Sequence, residues 1–277
     1  MPYINSCEYF YSIWPSVKEF LNSAFISAFL SALAGAGLGV LGAQKLTERS
    51  VRRKELLDAL RQTNALIILV ATITNQSLRI KKQHVTPLSS NYFNEKDKAD
   101  TINNTQFSGR VEFTLDMLHI PPFEMPIDAL KNLSYSTHLI SGKALALIHM
   151  VEQSLTGLSY SIQTRTEQIE LFKTQDLSSI IFIQNYFGLI RQDGCIDMLY
   201  HDSIVNIRDY TDDVIFFAVE LSEELQAHAH NIHKKLLKLT KDVGKVNTVD
   251  YSIPRQLGLI PPKDKYNGWL SGFKNHD

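Results

Sequence analysis

Apolar positions along the chain fall into blocks of different period, and the blocks predict a mainly helical protein built on one charge-free stretch. Phe20 to Gln44 (FLNSAFISAFLSALAGAGLGVLGAQ) holds 25 residues without Asp, Glu, Lys or Arg. As a helix it would reach roughly 37 Å, enough to cross a hydrocarbon core of about 30 Å with some tilt. A transmembrane helix is therefore predicted over 20–44, against the alternative of a helix buried in a globular core. Within it Ser23, Ser27, Ser31, Gly35, Gly39 and Ala43 recur every four residues, beside a second row of Ala24, Ala28, Ala32 and Ala36. Residues four apart share a helix face, so one face is almost free of bulk, with a GxxxG step at Gly35 and Gly39. Such a face lets two membrane helices approach closely, and a homo-oligomer through this helix is expected.

Beyond Gln44 the helical pattern runs without a breaker to about Gln83, with Leu57, Leu60, Asn64, Ile67, Ala71, Thr74 and Leu78 in steps of three and four. The stretch 65–74 is apolar almost all round but short for a span, and is read as a central bundle helix. Residues 84–110 are polar and rich in Asn and Ser, which predicts a loop with at most a short helical turn. Val111, Phe113, Leu115 and Met117 then alternate with polar residues, the period of a half-buried strand, ended by Pro121, Pro122 and Pro126. Two long seams follow. One runs Ala144, Ile148, Val151, Leu155, Leu158, Ile162, Arg165, Ile169, Phe172, and the other Ile207, Tyr210, Val214, Phe217, Leu221, Leu225, His228, Ile232, Leu236, Leu239. A period near 3.5 is coiled-coil-like. Between them lies a shorter apolar helix, Leu177 to Leu189, left by a turn at Asp193-Gly194. Val249, Tyr251 and Ile253 form a second period-two run, predicted to pair with 111–117 as a two-stranded ribbon. Polar seam residues Asn64, Arg165 and His228 are candidates for register-setting contacts.

The predicted layout is a short outer tail (1–19), a transmembrane helix (20–44), a cytoplasmic antiparallel helical bundle (45–241, with a loop and strand insertion at 84–126) and a tail docked on it (242–277). Tyr3, Tyr9, Phe10, Tyr11 and Trp14 suit a membrane-interface belt. Too long an apolar core and no positive start argue for an uncleaved anchor rather than a secretory signal.

Charge sets the expected direction of the span. Lys45, Arg49, Arg52, Arg53, Lys54 and Arg61 follow it closely, whereas Lys18 alone precedes it. The positive-inside rule puts the N-terminus outside and the bundle in the cytoplasm. Lys45, Arg49, Arg52, Arg53 and Lys54 are candidates for contact with lipid headgroups, or with the acidic segment 193–224, which carries nine acidic residues and one basic. The whole chain has 28 basic and 29 acidic residues, a formal charge of −1, so nothing draws it to nucleic acid. Two cysteines, Cys7 and Cys195, exclude a disulfide framework and a cysteine-rich zinc site.

Candidate chemistry is sparse. Gly37, Gly39 and Gly42 spell GxGxxG, but the strands of a dinucleotide-binding unit do not surround it. The stretch 201–233 holds His201, Asp209, Asp212, Asp213, His228, His230 and His233. His230 and His233 share a face and suit a metal, and Asp209 and Asp213 could add oxygen ligands. No HExxH, nucleophile elbow, P-loop or kinase set is present. The apolar seam already accounts for this helix, so a solvated face is the preferred reading and no cofactor is called for.

The layout, most visibly FLSALAGAGLGVLGAQKL followed by RRKELL, resembles uncharacterised bacterial single-pass membrane-anchored proteins, some of them met in phage-defence loci. That resemblance covers the whole chain, carries no catalytic residue, and implies an inner-membrane effector or sensor rather than an enzyme. The expected partners are membrane lipid, further copies of the chain through the transmembrane helix, and a protein from a neighbouring gene. The competing reading is a membrane-tethered metal-dependent enzyme using the Asp/His helix.

Overall fold

The structure is a computed structural model that describes residues 24–103, 105, 109–136 and 141–273. It is mainly helical. Helix α1, Ala24–Ile80, is followed without interruption by a π-helical turn, Lys81–Val85, and by α2, Thr86–Asn103, so the chain keeps a helical path from residue 24 to 103. Then come α3 (Ile127–Ser136), α4 (Gly142–Phe172), α5 (Ile180–Phe187) and α6 (Leu199–Leu237). Short turns α7 (Ser252–Gln256), a 3-10 turn (Lys263–Tyr266) and α8 (Asn267–Ser271) finish the chain.

Two large cores stack along the bundle, and a smaller third one joins Leu78, Ile215 and Val219 to Tyr251 and Ile260 of the C-terminal segment. In the lower one, Leu60, Leu66, Ile67, Val70 and Ile73 of α1 meet Leu147, Ile148 and Val151 of α4 and Val214, Phe217, Leu221 and Leu225 of α6. In the upper one, Leu88 and Tyr92 of α2 meet Phe172, Phe182, Tyr186, Phe187, Tyr200 and Ile204. Helices α4 and α6 share the most extensive contact, and α6 also packs along α1. Their apolar seams are the contact: on α4 only Ile162 of the seam stops short of full burial. They approach closely where the Tyr210 ring lies over Gly157, a site at which an added Cβ would stand 2.6 Å from the ring. Caps set the ends. The Ser141 hydroxyl accepts from the Ala144 amide at 3.2 Å at the start of α4, and Ser179 does the same for Phe182 at 3.1 Å in α5. Gly188 ends α5 at φ 62°, the left-handed conformation that glycine adopts without strain.

Three sequence expectations are corrected. The loop expected over 84–110 is largely helix α2, whose buried Leu88, Tyr92, Glu95 and Ala99 recur every three or four residues and which begins with Pro87 in its first turn. Its polar composition is that of a helix with a narrow buried stripe. The ribbon is absent: no strand occurs among the described residues, and Ile253 lies in α7. The segment 111–117 is extended and does alternate between half-buried and exposed side chains through Leu115, but its backbone bonds go to side chains. Asn91 donates to the Thr114 carbonyl at 2.9 Å, Glu95 accepts from the Thr114 amide at 3.3 Å, and Arg165 donates to the carbonyls of Asp116 and Leu118. An extended backbone needs partners, and here α2 and α4 supply them in place of a second strand, with the Tyr186 hydroxyl of α5 accepting from the Asp116 amide and the Tyr200 hydroxyl of α6 donating to its carbonyl.

The C-terminal segment packs on the bundle. Asn64 of α1 donates to the Lys245 carbonyl at 2.9 Å and accepts from the Asn247 amide at 2.9 Å. Further on, Tyr266 stacks on Phe216 with centroids 3.7 Å apart, and Trp269 packs edge-on to Phe217.

Candidate functional site

The residues singled out for membrane packing lie on the first turns of α1. Ser27, Ser31, Gly35, Gly39 and Ala43 have helical backbone; Ser23 lies outside the described residues, as do Cys7 and the aromatic residues of 1–19. Every side chain described before residue 56 is exposed: Ala28, Ser31, Ala32 and all of 42–55. The bundle closes on α1 only from Leu56 upward. Among the described residues one helical run, Gly42–Asn103, is long and apolar enough to cross a membrane by length and composition. Its apolar wall, however, includes Leu66, Ile67, Val70 and Ile73, which are fully buried in the lower core.

The basic residues Lys45, Arg49, Arg52, Arg53 and Lys54 sit on this exposed part of α1 and make no ion pair among the described residues. Of these, Arg49 donates from Nη2 to the Leu239 carbonyl at 3.3 Å, two residues past the end of α6, where carbonyls lack helical partners. The acidic residues of 193–224 find cations elsewhere. Asp212 lies 2.7 Å from Lys81 of the π turn and 3.6 Å from Lys265, Glu220 lies 2.5 Å from Lys263, Arg255 pairs with Glu223, and Lys143 pairs with Glu224 at 3.2 Å.

The Asp/His helix is spread out. From residue 201 to 233 it rises about 48 Å, so these groups cannot meet at one point. His201 shares a 3.0 Å hydrogen bond with the Tyr92 hydroxyl, and burial lowers its pKa. Asp213 accepts from the Tyr266 hydroxyl at 2.7 Å, and burial raises its pKa. Asp209 pairs with its neighbour Arg208. His230 is exposed and bonds the Gln226 carbonyl one turn back, and His233 is half-buried. Burial lowers the pKa of His228, whose Nε2 is buried without a partner. No three His, Cys, Asp or Glu side chains among the described residues come together as a metal site.

Sequence reasoning missed the densest polar arrangement, at the upper end of the bundle. Arg165, only 1% exposed, donates from Nη1 to the Leu118 carbonyl and from Nη2 to the Asp116 carbonyl, and its guanidinium lies 5.8 Å from the Tyr200 ring centroid. Tyr186 and Tyr200 share a 3.4 Å hydroxyl contact beside it, and burial raises both their pKa values. Only the polar position in the α4 seam pointed here; the carbonyl partners of Arg165 lie 47 and 49 residues back in sequence, and the two tyrosines come from other helices. Next to this cluster an open cleft of about 920 Å³ lies between α2, the 111–115 segment and α5, lined by Ile102, Phe113, Leu177, Ile180 and Ile190 among others. Ile180 and Ile190 are 58% and 62% exposed, so the upper end carries bare apolar surface as well. No known protein family, no curated protein and no solved structure matches this chain.

Proposed function

We propose that this chain is a self-associating, membrane-anchored helical protein of the bacterial inner membrane that acts as an effector or sensor without catalysing a reaction, in one version by disturbing the membrane itself. The observation that carries this reading is the unbroken helical path from residue 24 to 103. Its stretch 42–55 is exposed, basic at 45–54 and preceded by a charge-free stretch with a small-residue face; its later part is the wall of the core. A single helix shared between the membrane and the bundle gives the two a rigid connection, and the aromatic cluster and cleft stand at the far end of that rod. Recognition at the upper end and response at the membrane suit such an object. The tethered-enzyme reading gains no support from the Asp/His helix, whose groups are spread along α6, with His201, Asp209, Asp212 and Asp213 engaged in structural contacts.

Topology supplies the test. Cys195 is an exposed free cysteine, so it will react once a reagent reaches it. In intact cells an impermeant maleimide should label Cys7 and spare Cys195, with Cys195 reacting only after permeabilisation. Labelling of Cys195 alone in intact cells would overturn the orientation.

A further inference from the structure

The lower end of the bundle gathers cations from a second source that lies almost two hundred residues away in sequence. α6 ends with Lys234, Lys235 and Lys238, and Lys241 follows; all four are exposed and none has an ion-pair partner among the described residues. The Arg49 bond to the Leu239 carbonyl places this end of α6 beside the basic turns of α1. The pairing of Lys81 with Asp212 at the other end fixes the two helices as antiparallel. Together Lys45, Arg49, Arg52, Arg53, Lys54, Lys234, Lys235, Lys238 and Lys241 set nine positive charges against Glu48, Glu55 and Asp242, in a chain whose total charge is −1. The acidic side chains of α6 lie further up, where tail lysines and Lys81 and Lys143 hold them, so they do not neutralise this end.

Heights along α1 follow from its rise. Arg49 stands about 7 Å beyond Gln44, and Lys238, next to the residue Arg49 holds, stands at about the same level. Lys235, Lys234 and Lys241 come within about 15 Å. Asn64 stands about 30 Å up, and it holds Lys245, so the segment after α6 climbs away from the base. The Debye length at physiological salt is about 8 Å, and a lysine side chain adds several more ångströms of reach.

We propose that the end of α6 and its following turn, Lys234, Lys235, Lys238 and Lys241, form with the α1 cluster one two-sided surface that rests on anionic phospholipid headgroups. The bundle then stands on the bilayer on two elements and does not swing from α1 alone. This rests on the reading of 20–44 as a membrane span. Charge complementarity selects the occupant: apolar helix and basic collar are parts of one rod, and the only surface brought within reach of the collar by that rod is the headgroup layer, where anionic lipid attracts clustered Lys and Arg.

The test reads lysine reactivity in the full chain reconstituted into vesicles of neutral phosphatidylcholine or of phosphatidylcholine with a third phosphatidylglycerol. Acylation rates of individual lysines are followed by mass spectrometry. Lys234, Lys235, Lys238 and Lys241 should be acylated several-fold more slowly in the anionic vesicles, with protection greatest at Lys238 and removed by high salt. Lys245 and Lys263 should react alike in both. Equal reactivity of the four lysines in the two lipids overturns the proposal, as does protection that ignores salt or charge. Equal protection by added RNA without anionic lipid would reassign the surface to a nucleic acid and also overturns it. Alkaline extraction of the same vesicles separates the two failures. A chain that washes off refutes the membrane span and the proposal with it, whereas a retained chain with freely reactive lysines refutes the proposal alone.

Discussion

Arg165 donates from Nη1 to the carbonyl oxygen of Leu118 at 2.7 Å, joining the middle of a long helix to an extended segment that has no neighbouring strand. With the second bond to the Asp116 carbonyl, this guanidinium does for 111–118 what a sheet partner would have done. The Asp116 carboxylate is a lesser contact, 3.6 Å away and partly exposed. Replacing Arg165 by Met would leave the Leu118 carbonyl without its side-chain donor, at about 1–3 kcal/mol, and would take one of three donors from the Asp116 carbonyl, which keeps the Tyr200 and Tyr186 hydroxyls at 3.1 and 3.4 Å, at about 1 kcal/mol. We expect Arg165→Met to lose about 3 kcal/mol and Asp116→Asn to lose less than about 1 kcal/mol, because a half-solvated pair is weak. Urea melts of the detergent-solubilised chain followed by circular dichroism measure both. A harmless Arg165→Met or an equally damaging Asp116→Asn contradicts this account.

That contact also marks where the sequence was legible and where it was not. The α4 and α6 seams were readable because their partners are each other and the period alone carries the signal. The half-buried alternation of 111–117 was readable too, since it reports which side chains face inward. What period two does not report is the identity of the hydrogen-bond partner, and Arg165, Asn91 and Glu95 took that place. Helix α2 was obscured for a related reason: its buried stripe is five residues in eighteen and includes Ser89 and Glu95, which composition counts as loop-like. The aromatic cluster of Tyr92, Tyr186 and Tyr200 comes from three separate elements, and no local pattern assembles it.

Acid should loosen the bundle through two histidines. Burial is the main cause holding His201 and His228 below the ordinary imidazole value, with Lys96 beside the first and Lys235 beside the second adding to it. Acidic neighbours Asp202, Asp100 and Glu224 oppose without prevailing. A group whose pKa is lower folded than unfolded contributes stability that is present above the unfolded value of about 6.5 and lost as pH falls through the folded value. Asp213, raised by burial, acts in the opposite sense: its contribution is present below the unfolded carboxylate value and lost as pH rises through the folded one. The melting temperature should therefore fall between about pH 7.5 and about pH 5.5, and the slope should flatten in His201→Gln/His228→Gln. A double variant with the same slope as the parent would assign the effect to other groups.

Asn64 is the clasp of the C-terminal segment, with Nδ2 on the Lys245 carbonyl, Oδ1 on the Asn247 amide, and its own carbonyl receiving the Asn247 side chain at 3.3 Å. Asn64→Ala removes the two side-chain bonds, worth about 1 kcal/mol each. Because the later part of the tail is held independently by Tyr266 and Trp269, the loss should stay local. Amide exchange should quicken at 244–249 while the α1 and α6 cores keep their protection. Exchange that quickens across the whole bundle, or nowhere, would deny Asn64 this role.

The membrane face carries the functional reading, and bulk is the way to test it. Gly35→Leu with Gly39→Leu places two large side chains on the small-residue row of α1. The stretch 20–44 becomes more apolar, so insertion should persist. Association should weaken, because membrane helices are held by close packing and interhelical hydrogen bonds, and the lipid is as apolar as leucine. The bundle should still fold, since the buried core of α1 begins at Ala59, with Leu56 and Leu57 packed against it, and Gly42 to Glu55 are exposed. If the protein acts collectively at the membrane, the variant is inserted, folded and inactive. A tethered enzyme would retain its activity, because its anchor still holds it in place. Crosslinking in membranes reads the oligomer, and cell growth with dye entry reads the membrane effect. An unchanged oligomer would remove the small-residue face from the mechanism. A dispersed chain that still acts at full strength would remove collective action and leave the single rod as the working unit.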